Sequence, residues 1–273
     1  IMDANNNGAV PKGHYRSFIS FLNSCRDRYN GLPSSTKVTL VMFCAIAVFM
    51  FWRLGSYPPY FDEIVDHMAY VQVSKVFDHA VVDENTSWYW KSIHTHGAVE
   101  SPVYGLAIEV GLRLFGLTLY GVRIIPALFA FFSLILTYLV FRKFISKYLL
   151  LCFISLMALS PWYLMAARSG SISGFSVSLY LVAISMLGLL INRKRSLGLS
   201  ILAGISAAII PYGYSGIRLL LPLLVLLAVL NYRRIEKYNL IVYLGVILAI
   251  CSIQISNLPV SLQRYFYARG EGL

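Results

Sequence analysis

Charged residues are scarce in this 273-residue sequence. Only 13% of its residues are Asp, Glu, Lys or Arg, whereas a water-soluble domain of this length carries about a quarter. Hydrophobic residues make up 58%, and apolar stretches of about 15 to 22 residues recur along the chain, close to the length of helix that crosses a ~30 Å hydrocarbon layer. This composition excludes an ordinary soluble domain and predicts an integral membrane protein.

Two further absences narrow the class of membrane protein. The apolar stretches do not alternate with polar residues, which excludes the strands of a membrane β-barrel. They also contain almost no ionisable residues. Transporters commonly place such residues near the middle of the membrane, so a transporter or flippase is disfavoured.

Cysteine and acidic residues are also few. The four cysteines have no metal-site spacing, and three lie in apolar runs (Cys44, Cys152 and Cys251), where we expect small buried apolar side chains rather than disulfides. The excess of basic residues produces a net charge of +11. These residues cluster between apolar segments, which is typical of membrane topology and disfavours nucleic acid as a partner.

We predict an all-α integral membrane fold of about seven transmembrane helices, with two interfacial amphipathic helices in the first outer loop. The second interfacial helix covers 103–116, where Glu109 and Arg113 are spaced to form an ion pair. The first covers about 62–78. The predicted spans are 38–55, 120–141, 148–164, 172–191, 197–212, 217–231 and 239–256.

The basic clusters determine the predicted orientation. With seven spans and the N-terminus inside, 14 of the 23 Lys and Arg residues lie on the inner side, as the positive-inside rule requires. Counting 103–116 as an eighth span would place these clusters on opposite sides. We therefore expect a cytoplasmic arm (1–37), a transmembrane domain (38–256) that includes an outer loop (56–118), and an outer C-terminal segment (257–273).

The outer loop contains eight of the twelve acidic residues. The first span ends in Tyr57-Pro58-Pro59-Tyr60, because proline does not continue a helix, and Asp62 and Glu63 follow at once. Acidic residues in the first turn of a helix are also favoured by its dipole, so a structural role for this pair stays open.

Two histidines in the outer loop are weak candidates for metal ligands. His94 and His96 are followed by Glu100, and such side chains can bind a divalent metal. Histidines in loops more often bind none, so we predict no metal site and no cofactor, and leave a divalent metal open.

Arginines lie at the outer ends of two further spans. Arg168 follows the third span, and Arg218 follows Tyr214 at the end of the fifth. Arginine suits a lipid phosphate because its planar fork donates two parallel hydrogen bonds. Interaction with ordinary lipid headgroups is the alternative for each residue.

Six short motifs follow one another along residues 38–235. They are Tyr57–Glu63 after the first span, Glu100–Tyr104, Leu114–Gly116, Arg123 in the next span, Leu159–Arg168, and Tyr212–Arg218. Their order resembles the GT-C superfamily of membrane glycosyltransferases, in particular the protein O-mannosyltransferases and the lipid A aminoarabinose transferase. Members are usually longer, so the chain is expected to match only their N-terminal half.

The resemblance implies an inverting enzyme that moves a sugar from a polyprenyl-phosphate carrier to an acceptor hydroxyl on the non-cytoplasmic face. The modest length and the absence of a retention signal favour a bacterial inner membrane. Asp62 would be the catalytic base and Glu63 its support. The resemblance also implies that the remaining candidates bind substrate; they are Glu100, Arg168, Tyr214 and Arg218.

One departure from the family motivates a second hypothesis. Members of the lipid A branch have a lysine that meets the carrier phosphate where this chain has Ser101. The alternative is a non-catalytic scaffold subunit that keeps the fold within a larger membrane complex, with other membrane subunits as partners.

Overall fold

The structure is a computed structural model that describes residues 30–56, 93–95, 98–100, 102–116, 118–170, 172–191, 193–212 and 219–256. Among these described residues, those up to Ala45 form one unit and those from Ile46 onward form a second. In the first unit, Lys37 Nζ donates to the carbonyl of Asn30 at 2.9 Å.

Most of the described chain is α-helical, which confirms the predicted all-helical class. Antiparallel strands β1 and β2 form a short hairpin, with Ile93 opposite Glu100, that the sequence did not predict. In chain order the elements are α1 (Ser34–Phe51), β1 (Ile93–Thr95), β2 (Ala98–Glu100), α2 (Pro102–Phe115), α3 (Leu119–Phe141), α4 (Lys147–Leu159), α5 (Pro161–Arg168), α6 (Ile172–Leu190), α7 (Leu197–Ala208), a 3₁₀ turn (Ile210–Tyr212), α8 (Leu220–Leu230) and α9 (Lys237–Ser256).

Three of the described helices are long and apolar enough to cross a membrane. They are α1, α3 and α6. The bent pair of α4 and α5 is a fourth candidate, while α7, α8 and the apolar part of α9 are shorter. A membrane-embedded fold is therefore supported, and the number of seven spans stays a prediction.

The third predicted span, 148–164, is two helices that meet at an angle of 61°. Pro161 is the first residue of α5 and has no N–H to continue the hydrogen bonds of α4. Ser160 instead caps the new helix, since its hydroxyl accepts from Tyr163 N at 3.2 Å. A proline at this position ends one helix and starts another in a new direction.

Small and hydroxyl-bearing residues bring the central helices together. Helix α3 packs against α6 and α7 packs against α9. Between α3 and α6, the hydroxyls of Thr137 and Ser185 lie 3.2 Å apart and are fully surrounded by protein. Close packing through small side chains, with hydrogen bonds across the interface, is how helices associate in lipid.

The cysteines in the described chain are free, as predicted, but two were placed wrongly. Cys44 and Cys152 lie on the exposed faces of α1 and α4 rather than between helices, and Cys251 is partly buried. The residue that follows each of them, Ala45 and Phe153, is exposed as well, because a helix in a membrane presents apolar side chains to lipid.

Helix α2 confirms the predicted ion pair and approaches α3 very closely. Arg113 Nη2 lies 2.6 Å from Glu109 Oε1 on the exposed face of this helix. On the other face, a Cβ added at Gly111 would overlap the carbonyl oxygen of Gly121 in α3.

We expect Gly111→Ala to destabilise the protein. The overlapping atom belongs to the backbone and cannot rotate away, and overpacking typically costs about 1–3 kcal/mol. Thermal unfolding of the purified protein in mild detergent measures the effect.

Gly245→Ala is the matched control, since no atom lies within 4 Å of its added Cβ. This change should leave stability unchanged or raise it by up to about 1 kcal/mol, because alanine favours a helix. Equal unfolding midpoints for both variants would contradict the close approach of α2 and α3.

Candidate functional site

The C-terminal end of α1 is where the outer loop begins. The last carbonyl groups of a helix have no partner within it, and the chain leaves α1 through Arg53, whose φ of 53° lies in the left-handed region. A turn follows, in which Ser56 N donates to Arg53 O at 3.0 Å. We call residues 49–56 the α1 exit.

Arg168, the last residue of α5, binds the α1 exit with both arms of its guanidinium. Its Nη1 donates to the carbonyl of Phe49 at 2.8 Å, and its Nη2 donates to the carbonyl of Trp52 at 2.7 Å. The planar fork suits two acceptors, and the carbonyl end of a helix carries partial negative charge. Geometry and electrostatics therefore both favour this contact.

Arg123, near the start of α3, makes a second contact of the same kind. Its Nη1 donates to the carbonyl of Leu54 at 2.8 Å, and the residue is only 2% exposed. A charged side chain placed so deeply in an apolar helix bundle is costly unless hydrogen bonds satisfy it. The α1 exit provides an acceptor for that charge.

A glycine turn brings α2 and α5 to the same place. Gly170 has a φ of 67°, and a Cβ added there would lie 3.5 Å from Arg123 Cα. The hydroxyl of Tyr104, a fully buried residue of α2, donates to the carbonyl of Gly170. The turn after α5 therefore contacts the start of α3, and it accepts a hydrogen bond from Tyr104 of α2.

An apolar cluster next to this turn joins the ends of further helices. The ring of Phe175 in α6 lies 5.7 Å from that of Tyr104 and 4.9 Å from that of Phe129, measured between centroids. Ile209, which directly follows α7, packs against the cluster, and the 3₁₀ turn after it packs against α8. The end of α1, the starts of α2, α3 and α6, and the ends of α5 and α7 thus lie together.

Only one predicted site residue has a described side chain. Arg168 is half-buried and bonded as above. Glu100 and His94 lie in the hairpin strands, where the structure describes the backbone pairing alone. The other predicted residues lie outside the described residues: Asp62, Glu63, His96, Tyr214 and Arg218. No group of three or more metal-binding side chains occurs in the described ranges.

The sequence interpretation gave no role to Arg123, Tyr104 or Gly170. The sequence does indicate that Arg123 needs a partner. It is the single charge in a 23-residue apolar helix, and an isolated charge in such a helix is costly. Its acceptor is a backbone carbonyl 69 residues earlier, which no local pattern indicates.

Comparison of this chain with protein-family models, with curated proteins and with solved structures finds no match.

We expect Arg168→Lys to loosen the α1 exit. Lysine keeps the positive charge but replaces the two-armed fork by one ammonium, so at least one charge-assisted hydrogen bond is lost, worth about 1.5–3 kcal/mol. Amide hydrogen exchange in a peptide covering residues 49–56 should become roughly ten- to a hundredfold faster.

Arg113→Lys is the matched control, because that arginine pairs with Glu109 one turn earlier on α2. Exchange in residues 49–56 should be unchanged in this variant. Unchanged exchange in Arg168→Lys as well would show that the two hydrogen bonds do not hold the exit.

Proposed function

We propose that this chain is a membrane glycosyltransferase of the GT-C type, which transfers a sugar from a polyprenyl-phosphate carrier to an acceptor hydroxyl. The observation that carries the proposal is the meeting of helix ends around the α1 exit. Each residue to which the resemblance assigns a catalytic or substrate-binding role either lies at one of these ends or is at most about seven residues away, along the sequence, from the α1 exit, from α2 or from the 3₁₀ turn.

The spacing along the chain supports this reasoning for the catalytic pair. Asp62 follows Ser56 by six residues in sequence, and six residues of extended chain span at most about 20 Å. Arg123 and Arg168 hold the residues just before that segment. Loops that start from a rigid scaffold are the usual carriers of catalytic groups.

The other proposed residues flank α2, the 3₁₀ turn that follows α7, and α8, which packs against that turn. Glu100 precedes Pro102, the first residue of α2, by two positions. Tyr214 follows Tyr212, the last residue of the 3₁₀ turn, by two positions, and Arg218 directly precedes Leu219 at the start of α8.

In the proposed reaction the acceptor oxygen attacks the anomeric carbon of the donor sugar. The bond between that carbon and the phosphate oxygen breaks, and the polyprenyl phosphate leaves with the electron pair. Asp62 takes the proton of the acceptor hydroxyl as general base, and Glu63 orients it. Attack opposite to the leaving group inverts the anomeric configuration.

The negative charge that develops on the leaving phosphate needs fixed positive partners. Both terminal nitrogens of Arg168 already donate to carbonyls of the α1 exit. We therefore assign Arg168 a positioning role and a long-range positive charge, and we assign direct contact with the phosphate to Arg218.

We further propose seven spans in a bacterial inner membrane, with a cytoplasmic N-terminus and the α1 exit outside. The charge distribution supports this orientation. The short loops at the other ends of α3, α6 and α8 contain most of the tight basic clusters, and such clusters stay on the cytoplasmic side.

Cysteine labelling tests the orientation and the number of spans. Ser56 and Ser146 are both exposed, and α3 is the only proposed span between them. In a variant without the four native cysteines, Ser56→Cys should react with a membrane-impermeant maleimide in intact cells, and Ser146→Cys should react only after the cells are opened. If α2 also spanned the membrane, both would react from one side.

The alternative is a non-catalytic scaffold subunit, and one observation favours it. Arg123 and Arg168 bond to backbone carbonyls of the α1 exit, a structural role that a scaffold would retain. A scaffold should co-purify with partner proteins in fixed proportion rather than with a polyprenyl phosphate.

Asp62→Asn separates the two functions. The change keeps the size of the side chain and removes the base, so the rate of transfer should fall by about 10²- to 10⁴-fold. The assay is sugar transfer in membranes, with the donor identified beforehand by mass spectrometry of lipids that co-purify with the protein.

Asp83→Asn, in the same outer loop, is the control and should keep wild-type transfer. Near wild-type activity in Asp62→Asn would rule out the proposed mechanism. If the protein instead brings down partner proteins and neither variant changes any activity, the chain is a scaffold.

A further inference from the structure

Three basic loops lie at the end of the helix bundle opposite the α1 exit. They are residues 142–147, from the end of α3 to the first residue of α4, residues 193–196 before α7, and residues 231–237, from the end of α8 to the first residue of α9. They contain nine lysines and arginines and one carboxylate, Glu236, so their net charge is strongly positive. We call these three loops the basic end.

Helix packing brings the first two loops together. A Cβ added at Gly188, near the end of α6, would lie 2.9 Å from Val140 Cγ1 and 3.6 Å from the ring of Phe141. The ends of α3 and α6 are therefore in close contact, and the loops that follow them are neighbours.

A buried asparagine fixes the second loop to the third. Asn239, in the first turn of α9, is fully buried. Its Oδ1 accepts from Ser196 N at 2.9 Å, and its Nδ2 donates to the carbonyls of Arg193 and Lys194 at 3.3 and 3.2 Å. Arg195 adds a stacking contact, with Cζ 4.0 Å from the centroid of the Tyr238 ring.

These bonds use the backbone of the loop and leave its charges outside. All nine basic residues of the basic end are exposed. Because Asn239 and helix packing hold the loops, the backbone positions from which the charges extend are fixed, and a partner that binds them loses no affinity to ordering the loop backbone.

Apolar side chains are exposed among the charges. Phe144 and Ile145 separate Lys143 from Lys147 and are 43% and 41% exposed, and Tyr148 is 65% exposed. An apolar ring beside a cation is the arrangement that suits the boundary between hydrocarbon and headgroups. A partner that matches this surface has negative charges in contact with an apolar layer.

We propose that the basic end is a preformed binding surface for anionic phospholipid headgroups. Lysine and arginine bind the lipid phosphates, while Phe144, Ile145 and Tyr148 enter the acyl boundary. An acidic protein or a free phosphate would satisfy the charges and leave the apolar side chains uncovered. The proposal depends on membrane integration and not on any catalytic activity.

Native mass spectrometry of the purified full chain in mild detergent tests the proposal. The probes are phosphatidylglycerol, phosphatidylcholine and soluble glycerol phosphate. We expect phosphatidylglycerol to bind preferentially. In a variant with Arg142, Lys143, Arg193 and Lys194 all changed to Gln, its apparent affinity should fall at least on the order of one hundredfold, because each basic residue near an anionic surface contributes roughly one kcal/mol.

Two control variants keep the result interpretable. Arg53→Gln removes an exposed charge at the α1 exit and should leave the preference for phosphatidylglycerol intact. A variant with Arg142→Lys and Arg193→Lys keeps every charge at the basic end and should also keep the preference, even if the four-fold variant fails to fold.

Three outcomes would overturn the proposal. They are equal binding of phosphatidylcholine and phosphatidylglycerol by the wild type, an unchanged preference in a folded four-fold variant, and competition by glycerol phosphate alone that equals competition by the lipid. Loss of the preference in Arg53→Gln would place the lipid site at the α1 exit instead.

Discussion

The carbonyl end of α1 and the two arginines that bind it determine how one end of this bundle is built. Helix carbonyls without partners are costly in an apolar environment, and so is a buried guanidinium. Arg123 and Arg168 satisfy both requirements together, because their guanidinium groups donate hydrogen bonds to the carbonyls of Phe49, Trp52 and Leu54. Helix α1 is thereby bonded to α3 and α5, and the chain beyond Ser56 begins from a fixed point.

The two ends of the bundle differ because different kinds of hydrogen bond stabilise them. At the α1 exit, the guanidinium groups of Arg123 and Arg168 donate to backbone carbonyls. The hydroxyl of Tyr104 donates to the carbonyl of Gly170 in the adjoining turn. At the basic end, Asn239 binds the backbone of the loop, so the charges of that loop point outward. The first arrangement builds a rigid scaffold for a loop, and the second presents cations to a partner.

The proposed chemistry follows from the first of these ends. A transferase that acts on a lipid carrier needs a carboxylate for the acceptor and cations for the leaving phosphate, both near the membrane surface. The meeting of the ends of α1, α5 and α7 with the starts of α2 and α3 offers one place from which such residues can extend. The role of Arg168 shows that a cation near a proposed phosphate can serve first to hold the backbone.

The sequence by itself determined the helical class, the approximate positions of the described helices and the asymmetry of charge, because these depend on local apolar runs and on which loops contain lysine and arginine; the predicted helix 62–78 lies outside the described residues. The prediction of 120–141 differs from α3 by one residue. Only the tertiary structure decided the bend at Ser160, the close approach of Gly111 to Gly121, and the acceptor of Arg123. The bend follows from Pro161 and the Ser160 cap, but only the two helix axes show its angle. The acceptor of Arg123 lies 69 residues earlier in the chain, because the partner of a buried charge is chosen by packing rather than by sequence spacing.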